Sequence, residues 1–189
     1  MADFSNYGKV LTDDYLSKTR TDKLEAEVKK TEVETTFDDF LGMDLQGDTP
    51  VEIEGLRAEI TPRSKTSTLS ISTNIKCCAA LGHIFSFSVY VNGKPHRGST
   101  GSEKYIDGVA PVTYRIADTS LLYPVICNIK ASHGNNTNKV IVTVMAYYHK
   151  DIDATLPTAS LFINKAKVGV KGVDSTLVGT STLKVSEID

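Results

Sequence analysis

Residues 84–93 read IFSFSVYVNG, and this stretch decides the fold. Large apolar side chains occupy every second position from Phe85 to Val91, with serine or tyrosine between them. Because side chains alternate between the two faces of a strand, the pattern predicts a strand with one buried face. Asn92-Gly93 follows at once, and both residues tolerate a positive φ, so the pair predicts a tight hairpin turn.

The same two-residue period continues on both sides of this stretch, over residues 51–189. STLSISTNI (67–75) alternates in the same way, and KVIVTVMAYYH (139–149) is apolar on both faces, which is typical of a central or interface strand. Eight to ten short strands are predicted, separated by Gly, Pro, Asn or Ser, with no helical pattern between them. We therefore expect an all-β fold, an antiparallel β-sandwich or jelly roll.

Residues 1–50 are predicted to form an N-terminal arm, and the sandwich is predicted to span 51–189. The turn signal from Gly47 to Pro50 places the boundary near residue 50. Within an otherwise extended arm, residues 15–31 predict a short helix, since Asp22 and Glu25 fit a capping box. Its apolar stripe is thin, so this helix would need a surface to lie on.

The distribution of charge also changes close to the predicted domain boundary. Residues 1–56 carry a net charge of −8 and residues 57–189 a net charge of +6, which sum to the overall −2. An acidic arm does not fit nucleic acid, because phosphate contacts need cations, and the positive charge of the remainder is too dispersed for that role. Arm and body are expected to attract each other within or between subunits.

Cysteine usage and the N-terminal residues indicate the compartment. The three cysteines, Cys77, Cys78 and Cys127, are expected to be reduced and buried, as suits a cytosol. MADFSNYGKV lacks the features of a signal peptide, and the apolar runs are too short to cross a bilayer. We expect synthesis in the host cytoplasm and no membrane insertion.

No pattern of catalytic, cofactor-binding or metal-ligating residues stands out. The four histidines, His83, His96, His133 and His149, lie in or near predicted loops without a second ligand at a metal-binding spacing. GSTGSEK (98–104) lacks the spacing of a phosphate-binding loop. We expect no enzyme activity and no cofactor.

Three segments resemble virion proteins of bacteriophages, marine ones especially. They are EITPRSKTSTLSIS (59–72), FSVYVNGKPHRGS (87–99) and ASLFINKAKVGVKGVDSTLVGTSTLKVSEID (159–189). The relatives are tail-fibre-like proteins, and the resemblance implies a jelly-roll head of the C1q/TNF type that assembles as a homotrimer. Lys165 departs from this pattern, which usually has an arginine there, and residues 1–50 resemble nothing in that group.

The resemblance implies localisation in the virion, and the sequence favours one place there. A receptor-binding fibre needs a long coiled coil or β-helix as a shaft, and neither pattern is present. Capsid decoration, as a cement or head-fibre protein, is therefore favoured over a tail fibre or tail knob. The arm would dock on other virion proteins, or pack on its own sandwich, through seven apolar residues: Tyr7, Leu11, Tyr15, Leu16, Phe37, Phe40 and Leu41.

Two further sets of residues are predicted to take part in binding. A receptor- or carbohydrate-binding protein would hold a host surface glycan in loops 94–108 and 132–139, with His96, Arg97, Asn135 and Asn136 as contacts. Met145 and Tyr147, on the strand with two apolar faces, are predicted at the oligomer interface, where tyrosine is enriched.

Overall fold

The computed structural model of the chain describes residues 32–46, 49–79, 83–96, 112–115, 122–148, 158–166 and 178–188. The helix predicted over 15–31 lies outside these ranges, and the described residues contain no helix. They form eleven β-strands: β1 (Glu32–Phe37), β2 (Leu41–Gln46), β3 (Val51–Ile60), β4 (Thr68–Ala79), β5 (Ile84–Val91), β6 (Lys94–Pro95), β7 (Val112–Arg115), β8 (Tyr123–Ala131), β9 (Val140–Tyr148), β10 (Thr158–Ile163) and β11 (Ser181–Ile188).

The strands form two antiparallel sheets in a sandwich-like arrangement, as the alternation predicts. The first sheet has the order β1-β11-β4-β10-β2, and β8 pairs with the other edge of β4. The second sheet has the order β3-β9-β5-β6, and β7 also pairs with β5. β9 lies between β3 and β5, which confirms the central position predicted from its two apolar faces.

Four strand pairs relate the first half of the sandwich to the second half in reverse order. β2 pairs with β10, β3 with β9, β4 with β8, and β5 with β7. The chain thus runs out along β2 to β5 and returns along β7 to β10, like one long hairpin. Successive strands of each half change sheet, so the long hairpin is wrapped around the core.

The core lies between the sheets and consists of the apolar faces predicted from the sequence. Phe85, Phe87 and Val89 of β5 are at most 4% exposed. They belong to one cluster with alternate residues of β4 and β9, among them Ile71 and Val142. Burying a side chain of this size stabilises the fold by about 1.5–3 kcal/mol. The period of two therefore fixes which face of each strand turns inward.

The predicted hairpin turn at Asn92-Gly93 is also present. Asn92 has a φ of 51° and Gly93 a φ of 72°, and they join β5 to β6. Two positive φ values in succession fit the turn that matches the right-handed twist of paired strands. Asparagine and glycine tolerate a positive φ better than other residues, which is why Asn92-Gly93 predicts this turn.

The sandwich begins earlier than the boundary near residue 50 that the sequence predicts. β1 and β2, within residues 32–46, belong to the first sheet, where β1 pairs with β11 and β2 with β10. The reason is visible in the burial of β2: Met43 and Leu45 are buried, and the acidic Asp44 between them is exposed. The acidic residues thus lie on the outward faces of strands.

Asn164, at the end of β10, joins four parts of the first sheet. It is fully buried and has a φ of 63°. Its side-chain amide donates to the Phe37 carbonyl at 2.7 Å and to the Asp39 carbonyl at 3.1 Å, and its Oδ1 accepts from the Ser181 hydroxyl at 2.6 Å. Its backbone N–H donates to the Lys76 carbonyl at 2.7 Å. The side chain of Asn164 therefore holds the β1–β2 turn against β11, and its backbone N–H adds a bond to β4.

Candidate functional site

A cleft of about 420 Å³ separates the β5–β6 hairpin from the turn between β8 and β9. Residues 94–96 of the predicted ligand loop 94–108 form part of one wall, and residues of the predicted loop 132–139 form part of the other. Apart from Val91 and Pro95, its lining is polar or glycine: Asn92, Lys94, His96, Ser132, His133, Gly134 and Asn136. A concave site with several convergent polar groups is the usual form of a ligand-binding site.

Asn92 fixes the hairpin wall to β9. Its backbone N–H donates to the Ile141 carbonyl at 2.8 Å, and its side-chain Oδ1 accepts from the Ile141 N–H at 2.9 Å. The His96 N–H donates to the Val89 carbonyl at 2.9 Å and fixes the far end of the hairpin. Since Oδ1 of Asn92 is engaged, the amide nitrogen is the group this side chain can offer to a ligand.

The opposite wall is a turn held by its own side chains. Ser132 Oγ accepts from the Gly134 N–H at 3.1 Å, and Asn136 Oδ1 accepts from the Asn138 N–H at 2.8 Å. Gly134 and Asn135 have φ values of 71° and 58°, which glycine and asparagine tolerate best. Both walls are therefore ordered by hydrogen bonds made without a ligand.

His133 is one of the residues that line the cleft, and it is almost wholly buried. It is 3% exposed, and its Nε2 lies 3.2 Å from Ser67 Oγ. Its Nδ1 is buried and has no hydrogen-bond partner among the residues that the structure describes. A buried polar atom without a partner is uncommon in proteins and calls for an explanation, such as a bound water or a ligand.

Glu187 determines which proton His133 carries. Its Oε1 accepts a short hydrogen bond from the Ser67 hydroxyl, and its carboxylate also accepts the Arg63 and Ser64 N–H groups at 2.9–3.1 Å. Burial acts to raise the pKa of Glu187, but these hydrogen bonds, with the Arg63 charge, hold the pKa below its usual value. The single Ser67 proton has two acceptors, the ionised Glu187 carboxylate and the Ser64 carbonyl at 3.0 Å, and the carboxylate is the stronger one. With the Ser67 proton donated to either of them, Nε2 of His133 donates to Ser67 Oγ. In the neutral ring, Nδ1 is then a free acceptor.

Ser67, His133 and Glu187 are connected differently from a catalytic serine–histidine–acid triad. In such a triad the acid orients the histidine, and the histidine takes the serine proton. Here the carboxylate of Glu187 binds the serine directly and holds its proton, and Ser67 is only 5% exposed. The arrangement presents an acceptor at Nδ1 of His133 rather than an activated hydroxyl.

The charge in the cleft is slight at neutral pH. Burial lowers the pKa of His96, so its ring is neutral there. Lys94 is exposed and basic, and none of the described residues that line the cleft is a carboxylate. These residues therefore offer mainly hydrogen-bond donors, with Lys94 at the rim.

The structure places two of the four predicted ligand contacts in this cleft, His96 and Asn136. Asn135 is exposed in the same turn, and Arg97 lies outside the described residues. Sequence reasoning missed Asn92, assigned only to the turn, and the Ser67–Glu187 pair behind His133. Loop position identified His96 and Asn136, whereas Ser67 and Glu187 lie 120 residues apart in the chain.

Of the seven predicted arm contacts, Tyr7, Leu11, Tyr15 and Leu16 lie outside the described residues. Phe37 and Leu41 pack against the core of their own sandwich, which is the alternative role considered for them. Phe40 is 52% exposed and stacks on Phe162, with ring centroids 6.0 Å apart. These two rings border a second, more apolar cavity of about 470 Å³ beside Lys165.

Met145 and Tyr147 lie on the outer face of the second sheet. Met145 is partly buried and Tyr147 fully buried within the chain, where its hydroxyl contacts Ser88 and Tyr90. Burial raises the pKa of Tyr147, so its hydroxyl stays protonated. A role for this pair at an oligomer interface stays a prediction.

Two further features concern metals and membranes. Among the described residues, no group of three or more His, Cys, Asp or Glu side chains is arranged to hold a metal ion. Within the same ranges there is also no helix with the length and apolarity that a membrane span requires.

These features define an all-β sandwich protein with a polar cleft between two turns. No protein-family model matches the chain, and no curated protein matches it. Among solved structures, the chain is similar to the VP2 subviral particle of infectious bursal disease virus, at 11% identity and a TM-score of 0.38, over 83% of this chain and 38% of that one. It is also similar to the T13 particle of the same virus, at 10% identity and a TM-score of 0.38, over 84% and 39%.

The chain thus spans about two fifths of the length of the solved structures it matches. At these identities and TM-scores, no residue of this chain takes a role from them.

Proposed function

We propose that this chain is a structural protein of a bacteriophage virion, anchored by its N-terminal arm and displaying the β-sandwich on the particle surface. Its favoured place is the capsid, as a decoration protein of the cement or head-fibre kind. Support comes from the three segments that resemble phage virion proteins and from the strand order, and the protein is proposed to act without catalysis.

The observation that carries this proposal is the reverse-order pairing of β2 to β5 with β7 to β10. A long hairpin wrapped so that successive strands alternate between two sheets is the jelly-roll arrangement, which is common in viral capsid and lectin domains. We infer a jelly roll on this basis. A fold alone does not specify a function, so the resemblance of residues 59–72, 87–99 and 159–189 is a necessary second support.

The arm in this proposal is residues 1–31, because β1 begins at Glu32. A deletion that tests the arm must therefore end at residue 31. A deletion that extended into residues 32–46 would remove β1 and β2 and break the first sheet, so loss of binding would be uninterpretable. Removal of residues 1–31 leaves every described strand in place.

The test is co-sedimentation with particles of the encoding phage that have been stripped of this protein. The full chain is expected to sediment with the particles, and the chain without residues 1–31 to remain in the supernatant. Circular dichroism and thermal unfolding of the shortened chain establish that the sandwich has folded. Retained binding by the folded, shortened chain would contradict attachment through the arm.

The oligomer in this proposal is a homotrimer, supported by the resemblance and by the two apolar faces of β9. Multi-angle light scattering at micromolar concentration is expected to give three times the chain mass of 20.5 kDa. A mass of one chain under these conditions would remove this part of the proposal.

A second candidate function is a tail-fibre or tail-knob protein that binds a host receptor or surface glycan. The cleft between the β5–β6 hairpin and the β8–β9 turn favours it, because two separate predicted ligand loops meet there. This candidate predicts that glycan binding survives removal of residues 1–31, whereas attachment through the arm does not.

A further inference from the structure

We propose that the cleft between the β5–β6 hairpin and the β8–β9 turn binds a saccharide, with one ligand hydroxyl, directly or through a water, donating to His133 Nδ1. This inference deepens the second candidate function and does not depend on the arm or on a place in the capsid. Three observations support it: Nδ1 of His133 has no partner among the described residues, several hydrogen-bond donors line the cleft, and both walls are ordered by hydrogen bonds.

Nδ1 of His133 requires a ligand group that donates a hydrogen bond. Because Glu187 takes the proton of Ser67, the ring of His133 donates through Nε2, and Nδ1 keeps a lone pair inside the protein. Leaving a buried acceptor without a partner costs about 1–3 kcal/mol, and a hydroxyl or a bound water would remove that cost. A ligand that only accepts hydrogen bonds could not supply this partner directly.

The other groups in the cleft specify acceptors on the same ligand. The amide nitrogens of Asn92 and Asn136 are donors, since the Oδ1 atom of each is already engaged by a backbone N–H. Lys94 adds a charged donor, and Ser132 can donate through its hydroxyl because its oxygen is the acceptor for Gly134. A sugar fits this pattern, because each of its hydroxyl groups can donate one hydrogen bond and accept others.

The ordered walls of the cleft limit the side-chain entropy that the protein loses when a ligand binds. The hairpin is fixed to β9 through Asn92, and the facing turn is fixed by Ser132 and Asn136. Pre-organised groups lose little side-chain entropy on binding, and the volume of about 420 Å³ lies in the range of small-ligand sites.

The experiment uses the full chain, a glycan array, and titration of the array's strongest ligand observed by NMR of the histidine rings. The ring signals of His133 are expected to shift as sugar is added. Asn136→Asp is the sharpest variant, because it keeps the Oδ1 acceptor for Asn138 and removes the amide donor. Affinity is expected to fall at least 10-fold in Asn136→Asp and about 5-fold in Lys94→Ala, for hydrogen bonds of about 1 kcal/mol or more.

The matched control is Lys130→Ala, an exposed lysine on β8 that does not line the cleft, and it should leave affinity unchanged. An array without any bound sugar would overturn the proposed ligand class. Sugar binding that is unaffected by Asn136→Asp and Lys94→Ala, with no shift at His133, would overturn the site. Neither result bears on attachment through the arm, which the co-sedimentation of the shortened chain decides separately.

Discussion

The ring of Phe37 fills the space that a side chain on Gly55 would need. Gly55 lies in the irregular middle of β3, where the pairing with β9 shifts register, and its φ is +90°. A Cβ at this position would overlap the Phe37 ring. Close by, the Thr35 hydroxyl donates to the Arg57 carbonyl at 2.9 Å. Through these contacts β1, an edge strand of the first sheet, closes against β3, an edge strand of the second.

Replacing Gly55 by alanine is therefore expected to lower the free energy of unfolding by about 3 kcal/mol or more. Roughly 1–2 kcal/mol comes from the left-handed φ and the rest from the overlap with Phe37. Urea unfolding measures the loss. The control is Gly134→Ala. Gly134 has a φ of +71°, and a Cβ added there would lie in open space. This variant should therefore lose only the free energy of unfolding that the left-handed φ accounts for. In a Phe37→Ala background the two losses should become similar, and a persistent difference would contradict the steric explanation.

Asn164→Ala is expected to destabilise the sandwich by about 3–5 kcal/mol. It removes three side-chain hydrogen bonds, one of them to the fully buried Ser181 hydroxyl, at a residue that also has a positive φ. Asn135→Ala is the matched control, since Asn135 has a φ of 58° but is exposed. It should cost about 1 kcal/mol. Equal losses in chemical denaturation would show that backbone conformation, not the hydrogen-bond network, is what Asn164 supplies.

The lowered pKa of Glu187 predicts that the folded protein loses stability in acid. Its pKa is lower in the folded chain than the ordinary value of 4.5, so the native state binds fewer protons than the unfolded state as pH falls. Its contribution is complete above pH 4.5 and is lost as pH falls through the folded pKa. Glu187→Gln should flatten this part of the stability curve measured by urea unfolding between pH 3 and 7. Glu32→Gln, which removes an exposed ion pair with Lys184, is the control for general charge effects and should be sensitive to salt instead.

Two of the three thiols, those of Cys77 and Cys127, are expected to differ in reactivity. Cys77 is fully buried, and burial raises its pKa to about 12, so almost no thiolate is available at pH 8. Cys127 is 9% exposed, and its pKa is also raised by burial. Iodoacetamide at pH 8, followed by mass spectrometry, should modify Cys127 first and Cys77 only after denaturation. Faster modification of Cys77 in the native protein would show that this part of β4 opens readily.

Local pattern predicted the parts of the fold that depend on neighbouring residues. The inward face of β5, the turn at Asn92-Gly93 and the central β9 each follow from alternation or from tolerance of positive φ. The sequence places residues 32–46 in the predicted arm, whereas the structure pairs β1 with β11 and β2 with β10 in the first sheet. LGMDLQ has the same period of two as the other strands, but its partner β10 lies more than 110 residues away.

The candidate site was predictable only in part, for the same reason. Loop position was enough to nominate His96 and Asn136, since turns carry polar side chains to the ends of a sandwich. The properties that distinguish the cleft depend on long-range contacts. His133 becomes an acceptor through Ser67 and Glu187, which come from the β3–β4 connection and from β11. No spacing in the sequence relates these three residues.

The wrapped hairpin also sets the order in which the chain can fold during synthesis. Asp44 of β2 and Ser160 of β10 are hydrogen-bonded partners 116 residues apart. At a translation rate of about 5–20 residues per second, the early strands emerge roughly 6–23 s before their partners exist. During that interval β2 and β3 lack β10 and β9, the strands that pair with them in the folded sandwich. The nascent protein is therefore expected to depend on chaperones that hold these unpaired strands until the returning strands have left the ribosome.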